Sequence, residues 1–289
     1  MSAALPPGVR VPDRAAWVNG RIVRGVDAVL SLFDRGARDG GGIFETIRVY
    51  DGRPFAWERH MERLVLSAAE LGFPVPPAPA QLREALAELL DAQRLADAVV
   101  RLTVTRGVAG GRPTRTGAWI EAEPLAGRLW SGARHGGARV VYSRLPFQQG
   151  WIGRHKTTSR MAWDLAREEA RAEGADEAIL LSPAGNVLEG AASNVFVVRD
   201  GEVLTPPLSQ DVLPGVTRAI VLELCRELRV RAREAALVPE HLRWAEEVIL
   251  TNSVQEVLPV AVLEGHAVEG RETGERLLAA YRERVAAER

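Results

Sequence analysis

The sequence predicts a mixed α/β chain of two lobes, joined near residue 150. Three observations predict it. Apolar residues recur at helical spacing in several separate segments, and short β-branched runs bounded by Gly, Asn and Asp turns stand between them. Residues 145–157 also gather Pro146, Gly150 and Gly153, the punctuation of a link. With 289 residues, 46% of them hydrophobic, the chain can bury one large core or two moderate ones.

Residues 1–14, rich in Pro and Arg, read as an extension, 15–145 as a small N-terminal α/β lobe, 146–157 as the linker and 158–289 as a larger C-terminal lobe. In Ala16–Val23 an Asn19-Gly20 pair between apolar runs signals a hairpin. Ile43–Val49 and Arg53–Trp57 flank Asp51-Gly52 as a second one. His60–Leu71 is helical, because Met61, Leu64, Val65 and Ala68 share one face and Gly72 suits the C-terminal cap. After the Pro-rich FPVPPAPA comes a helix over Gln81–Gln93. Val99–Thr105 and Ala138–Tyr142 read as buried strands, with a Gly- and Arg-rich loop region (RGVAGGRPTRTG) between them. Beyond the linker, a helix over Ser159–Glu173 precedes strands at Glu177–Leu181, Ser193–Val198 and Glu202–Leu204, with turns at Pro183–Asn186 and Asp200-Gly201. Thr217–Leu228 repeats the helical core spacing. Strands near Glu247–Thr251 and Val257–Val262 lead to a terminal helix after Gly274.

Composition excludes several function classes. With 37 basic and 38 acidic residues the net charge is -1, so nothing marks a nucleic-acid partner. No apolar run approaches the roughly 20 residues of a membrane-spanning helix, and the N-terminus lacks a secretory core. Cys225 is the only cysteine, which fits a reducing, cytoplasmic setting. The five histidines show no paired metal-ligand spacing, so no metal site is expected. RDGGGIF lacks the spacing of a dinucleotide fingerprint. Ser182 and Ser193 lie in no nucleophile elbow.

One compositional fact points to chemistry. Every basic residue is arginine except Lys156. The two cations substitute for each other on solvated surfaces. They do not where an amine must lose its proton and attack a carbonyl, because guanidinium stays protonated. Lys156 lies in GRHKTTSR, where it is either such an amine or an exposed loop lysine. Leu213–Thr217 (LPGVT) precedes an amphipathic helix: Gly215 permits close backbone approach, and the amides after it can bind phosphate, unless this is an ordinary helix entry. Glu189 in NVLEGAASNVF is either a solvated turn residue or a carboxylate beside a pyridine nitrogen. Arg63 is either a solvated helix residue or a phosphate clamp.

Taken together these stretches resemble the fold-type IV pyridoxal-phosphate family, which includes D-amino-acid transaminases, branched-chain transaminases and aminodeoxychorismate lyases. FDRGARDGGGIFETIRVYDGRPF, HMERLVLSAAELG, HKTTSR, LEGAASNVF, LPGVTR and TNSVQEVLPV occur in the family's order, from about Trp17 to Val262. The resemblance implies a two-lobed fold with pyridoxal 5'-phosphate between the lobes. Lys156 would carry the cofactor as a Schiff base and move protons. Glu189 would face the pyridine nitrogen, and Arg63, Val216, Thr217 and Ser253 would bind the phosphate. Leu213 would pack on the ring, with Gly215 and Asn194 near it and Phe44 on the substrate side. It also implies a homodimer, with the loop around Arg35–Asp39 reaching the partner's site. Arg38, Arg101 and Arg112 are candidates for the substrate carboxylate, with Arg106 a further rival.

Two departures bear on the branch. Branched-chain enzymes typically carry tyrosines where Met161 and Val99 stand, whereas the Phe44-Glu45 pair fits D-amino-acid enzymes. The reading is an aminotransferase acting between an amino acid and a 2-oxo acid, with D-amino acids as favoured donors. An aminodeoxychorismate lyase releasing pyruvate is the alternative, ahead of a branched-chain aminotransferase or a binding protein without turnover.

Overall fold

The computed structural model describes residues 11–110, 115–148 and 150–288. Contacts divide the chain into two units: Met1–Arg128 with Lys156–Ser159, and Leu129–His155 with Arg160–Arg289.

In the first unit, β1 (Ala15–Val18) and β2 (Arg21–Arg24) form the hairpin expected at Asn19-Gly20, where both turn residues have positive φ. The short helix α1 (Arg35–Asp39) precedes β3 (Gly42–Tyr50), which returns through Asp51-Gly52 into β4 (Arg53–Pro54). The expected strand over Arg53–Trp57 stops at Pro54. Ala56 takes φ 53°, and Trp57 opens helix α2 (Trp57–Glu70) with its side chain buried. Helix α3 (Pro79–Gln93) starts two residues earlier than apolar spacing suggests, because proline fits the first helical position. Strands β5 (Ala98–Thr105) and β6 (Ala118–Pro124) complete an antiparallel sheet ordered β2-β1-β6-β5-β3-β4 among the described residues. Sequence reading left β6 in a loop region. Its signal was the alternation of buried Ala118, Ile120 and Ala122 with Trp119 and Glu121.

The same alternation gives this sheet two distinct faces. Ile43, Ile47, Val100, Leu102 and Ile120 pack with Met61, Leu64, Leu86 and Leu89 of α2 and α3 in one core. Phe44, Thr46, Arg101 and Thr103 occupy the alternate positions and so belong to the opposite face.

The lysine segment docks on β3 through an isolated β-bridge. The Phe44 amide donates to the Lys156 carbonyl (2.8 Å), the Thr158 amide donates to the Gly42 carbonyl (2.8 Å), and Ile43 bridges to Thr157. The Thr158 hydroxyl donates to the Gly40 carbonyl at 2.8 Å. This is where the glycine run is used. A Cβ on Gly42 would lie 2.8 Å and 2.9 Å from the Thr158 side chain, and Gly40 adopts φ +64° with its own Cβ position 2.5 Å from the Ser159 hydroxyl.

In the second unit, helix α4 (Ser131–His135) and strand β7 (Ala138–Tyr142) come first, followed after the linker by α5 (Met161–Ala172). Then come β8 (Glu177–Leu181), β9 (Val187–Gly190), β10 (Asn194–Arg199), β11 (Glu202–Thr205), α6 (Val216–Glu227), β12 (Arg231–Glu234) and α7 (Pro239–Arg243). Last are β13 (Glu247–Asn252), β14 (Glu256–Leu263), β15 (His266–Ala267) and α8 (Glu272–Ala287). The strands join one curled sheet ordered β12-β11-β10-β13-β14-β7-β8-β9, with β15 on β14. It encloses a core that includes Val140, Ile179, Val195, Val197, Leu250 and Val260. No helix among the described residues is long and apolar enough to cross a membrane.

Replacing Gly42 with alanine forces the Thr158 side chain aside, which costs roughly 1–3 kcal/mol as overpacking does. A urea-denaturation midpoint lowered by that amount, with faster proteolysis near residue 156, is the expected outcome.

Candidate active site

Two groups of side chains gather the residues singled out in the sequence, one in each unit. The first surrounds Lys156. Its Nζ lies 4.9 Å from the centroid of the Phe44 ring, and the Arg101 guanidinium lies over the same ring at 3.7 Å. Both placements follow from strand register. Phe44 meets the lysine segment through its backbone, and Arg101 pairs with Thr46 on β5, one pleat along the same face.

On the other face of β3, Glu45 is turned toward α2 and is 1% exposed. His60 and Arg63 stand three residues apart on that helix, so their side chains converge on it. Arg63 donates from Nε to Oε1 (2.8 Å) and from Nη2 to Oε2 (2.5 Å), and His60 Nδ1 donates to Oε2 (2.7 Å). Burial alone pushes the Glu45 carboxyl up. The Arg63 charge and the hydrogen bonds from His60 and Arg63 outweigh burial and hold it at about 2. Burial lowers His60, and the nearby Arg63 and Lys156 charges lower it further against the pull of Glu45, so the imidazole is kept neutral. Sequence reading noted Glu45 only as half of a family pair and missed His60. The available signal was a histidine and an arginine on the buried side of α2, facing a carboxylate in an otherwise apolar strand.

The second group surrounds Glu189, which lies at the end of β9 and is 5% exposed. Its Oε2 accepts from the Leu213 amide (3.0 Å) and from Asn194 Nδ2 (3.4 Å). Asn194 Nδ2 also donates to the Leu213 carbonyl at 3.0 Å. A Cβ on Gly215 would come 2.0 Å from Asn194 Oδ1, so the close approach that this glycine permits is that of Asn194. Gly215 caps α6 without a side-chain hydrogen bond, and Val216 and Thr217 form its first turn, both buried. Unsatisfied amides and the helix dipole there suit an anion. Ser253 lies in the turn between β13 and β14, where Asn252 Oδ1 accepts from the Val254 and Gln255 amides (2.9 and 2.7 Å).

The other arginine candidates stand elsewhere. Arg38, with its side chain 55% exposed, lies 3.8 Å from Asp39 on α1. Arg106 stacks near Phe73 and donates to the Gly72 carbonyl. Arg112 lies outside the described residues. Among the described residues no three His, Cys, Asp or Glu side chains gather as a metal site would require.

These residues fit pyridoxal phosphate by their chemistry. An amine lies over an aromatic ring, a buried carboxylate is fixed by an amide and an asparagine, and a helix N-terminus lacks a side-chain cap. A family model described as amino-transferase class IV matches residues 42–263. A putative branched-chain-amino-acid aminotransferase of Methanocaldococcus jannaschii is 34% identical over 267 residues, covering 90% of this chain and 91% of that protein. D-alanine aminotransferase of Bacillus licheniformis is 31% identical, covering 86% of this chain and 88% of that protein. Among solved structures, the branched-chain aminotransferase of Thermoproteus uzoniensis with norvaline superposes with a TM-score of 0.85 at 27% identity, covering 93% of this chain and 94% of that chain. A hypothetical aminotransferase from Mycobacterium tuberculosis in its PLP-bound form also gives 0.85 at 27% identity, covering 95% and 100%.

The Glu45 group makes the fold acid-sensitive. Folding favours neutral His60 and ionised Glu45, so their stabilisation is present above the usual values of 6.5 and 4.5 and is lost as pH falls. The loss starts below 6.5 with His60 and continues from 4.5 toward about 2 with Glu45. The carboxylate accounts for roughly 3 kcal/mol of it. Urea midpoints measured across this range should fall with pH, and Glu45→Gln should flatten the lower part while lowering stability at pH 7.

Proposed function

Because the chain belongs to the class IV aminotransferases, we propose that it moves an amino group between an aliphatic amino acid and a 2-oxo acid, with Arg101 receiving the substrate carboxylate beside Lys156. Pyridoxal phosphate is the cofactor. When bound, it supplies an aldehyde for the amino group and a ring that draws electron density from the substrate Cα.

The chain's own residues supply the rest. Lys156 would anchor the cofactor and hold or return the substrate's Cα proton at Nζ. Glu189, its carboxylate oriented by the Leu213 amide and Asn194, would face the ring nitrogen. Leu213 would pack on the ring. Arg63, its guanidinium oriented by Glu45, would bind the phosphate, as would the Val216 and Thr217 amides and Ser253. Phe44 offers its ring to both the reacting amine and the carboxylate-binding cation.

The observation that carries this reading is one aromatic ring with Lys156 Nζ at 4.9 Å and the Arg101 guanidinium at 3.7 Å. It supports the reading because an α-amino acid calls for an amine and a planar cationic fork close to each other. Relatives named for branched-chain amino acids and for D-alanine support an aliphatic donor. The 34% identical relative, named a putative branched-chain-amino-acid aminotransferase, supports that branch even though Met161 and Val99 stand where branched-chain enzymes typically carry tyrosines. A D-amino acid donor is the second reading, favoured by the Phe44-Glu45 pair, and lyase activity is an outcome the test separates. A homodimer belongs to the same proposal, supported by Leu32 and Phe33, which lie 83% and 67% exposed just ahead of α1.

The test loads purified protein with pyridoxal phosphate and follows its visible absorption during half-reactions with L-leucine, L-valine, L-isoleucine and D-alanine. Conversion by the L-series, by D-alanine, or by neither but with pyruvate release from aminodeoxychorismate assigns the branch, the last outcome overturning the transaminase reading. Borohydride treatment should fix a label at Lys156. Arg101→Gln should raise KM about tenfold or more, as expected for a lost charged hydrogen-bond pair, with kcat less affected. Light scattering should report twice the chain mass.

A further inference from the structure

The turn Gly190–Ser193 joins the two residues assigned above to the cofactor ring, Glu189 before it and Asn194 after it. Side chains from three other segments hold that turn. Glu177 on β8 accepts from the Ala192 amide (2.9 Å) and the Ser193 hydroxyl (2.8 Å), both at Oε2. Arg160 Nη2 donates to the Ala191 carbonyl at 2.7 Å, and Asn252 Nδ2 donates to the Ala192 carbonyl at 3.0 Å. The turn is closed tightly on the carboxylate. A Cβ on Gly190 would lie 2.1 Å from the Ser193 hydroxyl and 2.9 Å from Glu177 Oε2.

Glu177 is 0% exposed, and the reaction described above gives it no part. Burial pushes its carboxyl up, against Arg167 and the hydrogen bonds from Ser193, Ala192 and Ala178. A buried carboxylate is a costly way to satisfy an amide and a hydroxyl, which a neutral acceptor could also satisfy. What Glu177 adds is convergence: the Ala192 amide and the Ser193 hydroxyl both end on one oxygen, Oε2, so a single fixed atom ties two points of the turn to β8.

We propose that Glu177 is a positioning residue for Glu189: by gripping the Ala192 amide and the Ser193 hydroxyl it fixes the turn, and with it the carboxylate that meets the cofactor's ring nitrogen. The inference rests on the reading of Glu189 given under the proposed function. Glu177 touches neither substrate nor cofactor. Its effect passes through the backbone of four residues.

The test uses the full-length protein loaded with pyridoxal phosphate and compares wild type, Glu177→Ala and Glu177→Gln. The glutamine can keep its carbonyl at the Oε2 position and retain both bonds to the turn. Three quantities are measured: the cofactor dissociation constant, the position of its visible band, and the pH at which that band titrates. Glu177→Ala should raise the dissociation constant about tenfold and displace the band's titration by about one pH unit, whereas Glu177→Gln should stay within about threefold of wild type. A Glu177→Ala protein that melts as a folded chain yet keeps wild-type affinity and titration overturns the inference. If that variant does not fold, Ser193→Ala, which removes one of the two bonds, is judged by the same readouts, and unchanged values again overturn it. The wild type separates the two levels of the argument. A missing borohydride label at Lys156 removes the cofactor reading and this inference with it, while a label accompanied by an unresponsive Glu177→Ala removes the inference alone.

Discussion

Two backbone hydrogen bonds bring residues more than a hundred positions apart into register: Phe44 amide to Lys156 carbonyl, and Thr158 amide to Gly42 carbonyl, each 2.8 Å. The position of Nζ over Phe44 depends on that pairing, and the position of Arg101 depends on the β3–β5 register that continues it. A slip of one residue would turn Phe44 toward the helices and bring Glu45 to the lysine's face. Opposing this slip, β3 carries Ile43 and Ile47 into the core with α2 and α3, so the hydrophobic pattern that folds the sheet also aims the chemistry.

The polar interior follows one rule in both units. Glu45 is satisfied by Arg63 and His60, Glu189 by the Leu213 amide and Asn194, and Glu177 by backbone and the Ser193 hydroxyl. Buried carboxylates are tolerated only with such partners. The partners decide how each behaves. Beside a guanidinium Glu45 is held strongly acidic, whereas Glu177, satisfied mainly by neutral donors, is pushed the other way by its burial.

The sequence made the alternation of helices and strands legible, because periods of 3.6 and 2 survive in single segments such as Met61–Ala68 and Val99–Thr105. Lys156 stood out by composition, and Glu189, Asn194, Leu213 and Gly215 by motif. The structure joins Glu189, Asn194 and Leu213 by hydrogen bonds and packs Gly215 closely against Asn194. Other parts were not legible, for a physical reason. Glu45 and Arg63 are 18 residues apart, and Arg160 reaches a carbonyl 31 residues on, so no local pattern links them. The strand Ala118–Pro124 was hidden by the Gly- and Arg-rich loop before it, and the use of Gly40 and Gly42 became visible only with the segment they receive.

The docking of the lysine segment on β3 bears on how the chain is made. Synthesis runs from the N-terminus, and domains tend to fold as units while the rest of the chain emerges. β1 through β6 all precede residue 156, so the sheet edge that accepts the lysine can be assembled before the lysine segment emerges from the ribosome. The amine then arrives as a late guest at a finished berth, and the glycines at positions 40 and 42 keep that berth open for it.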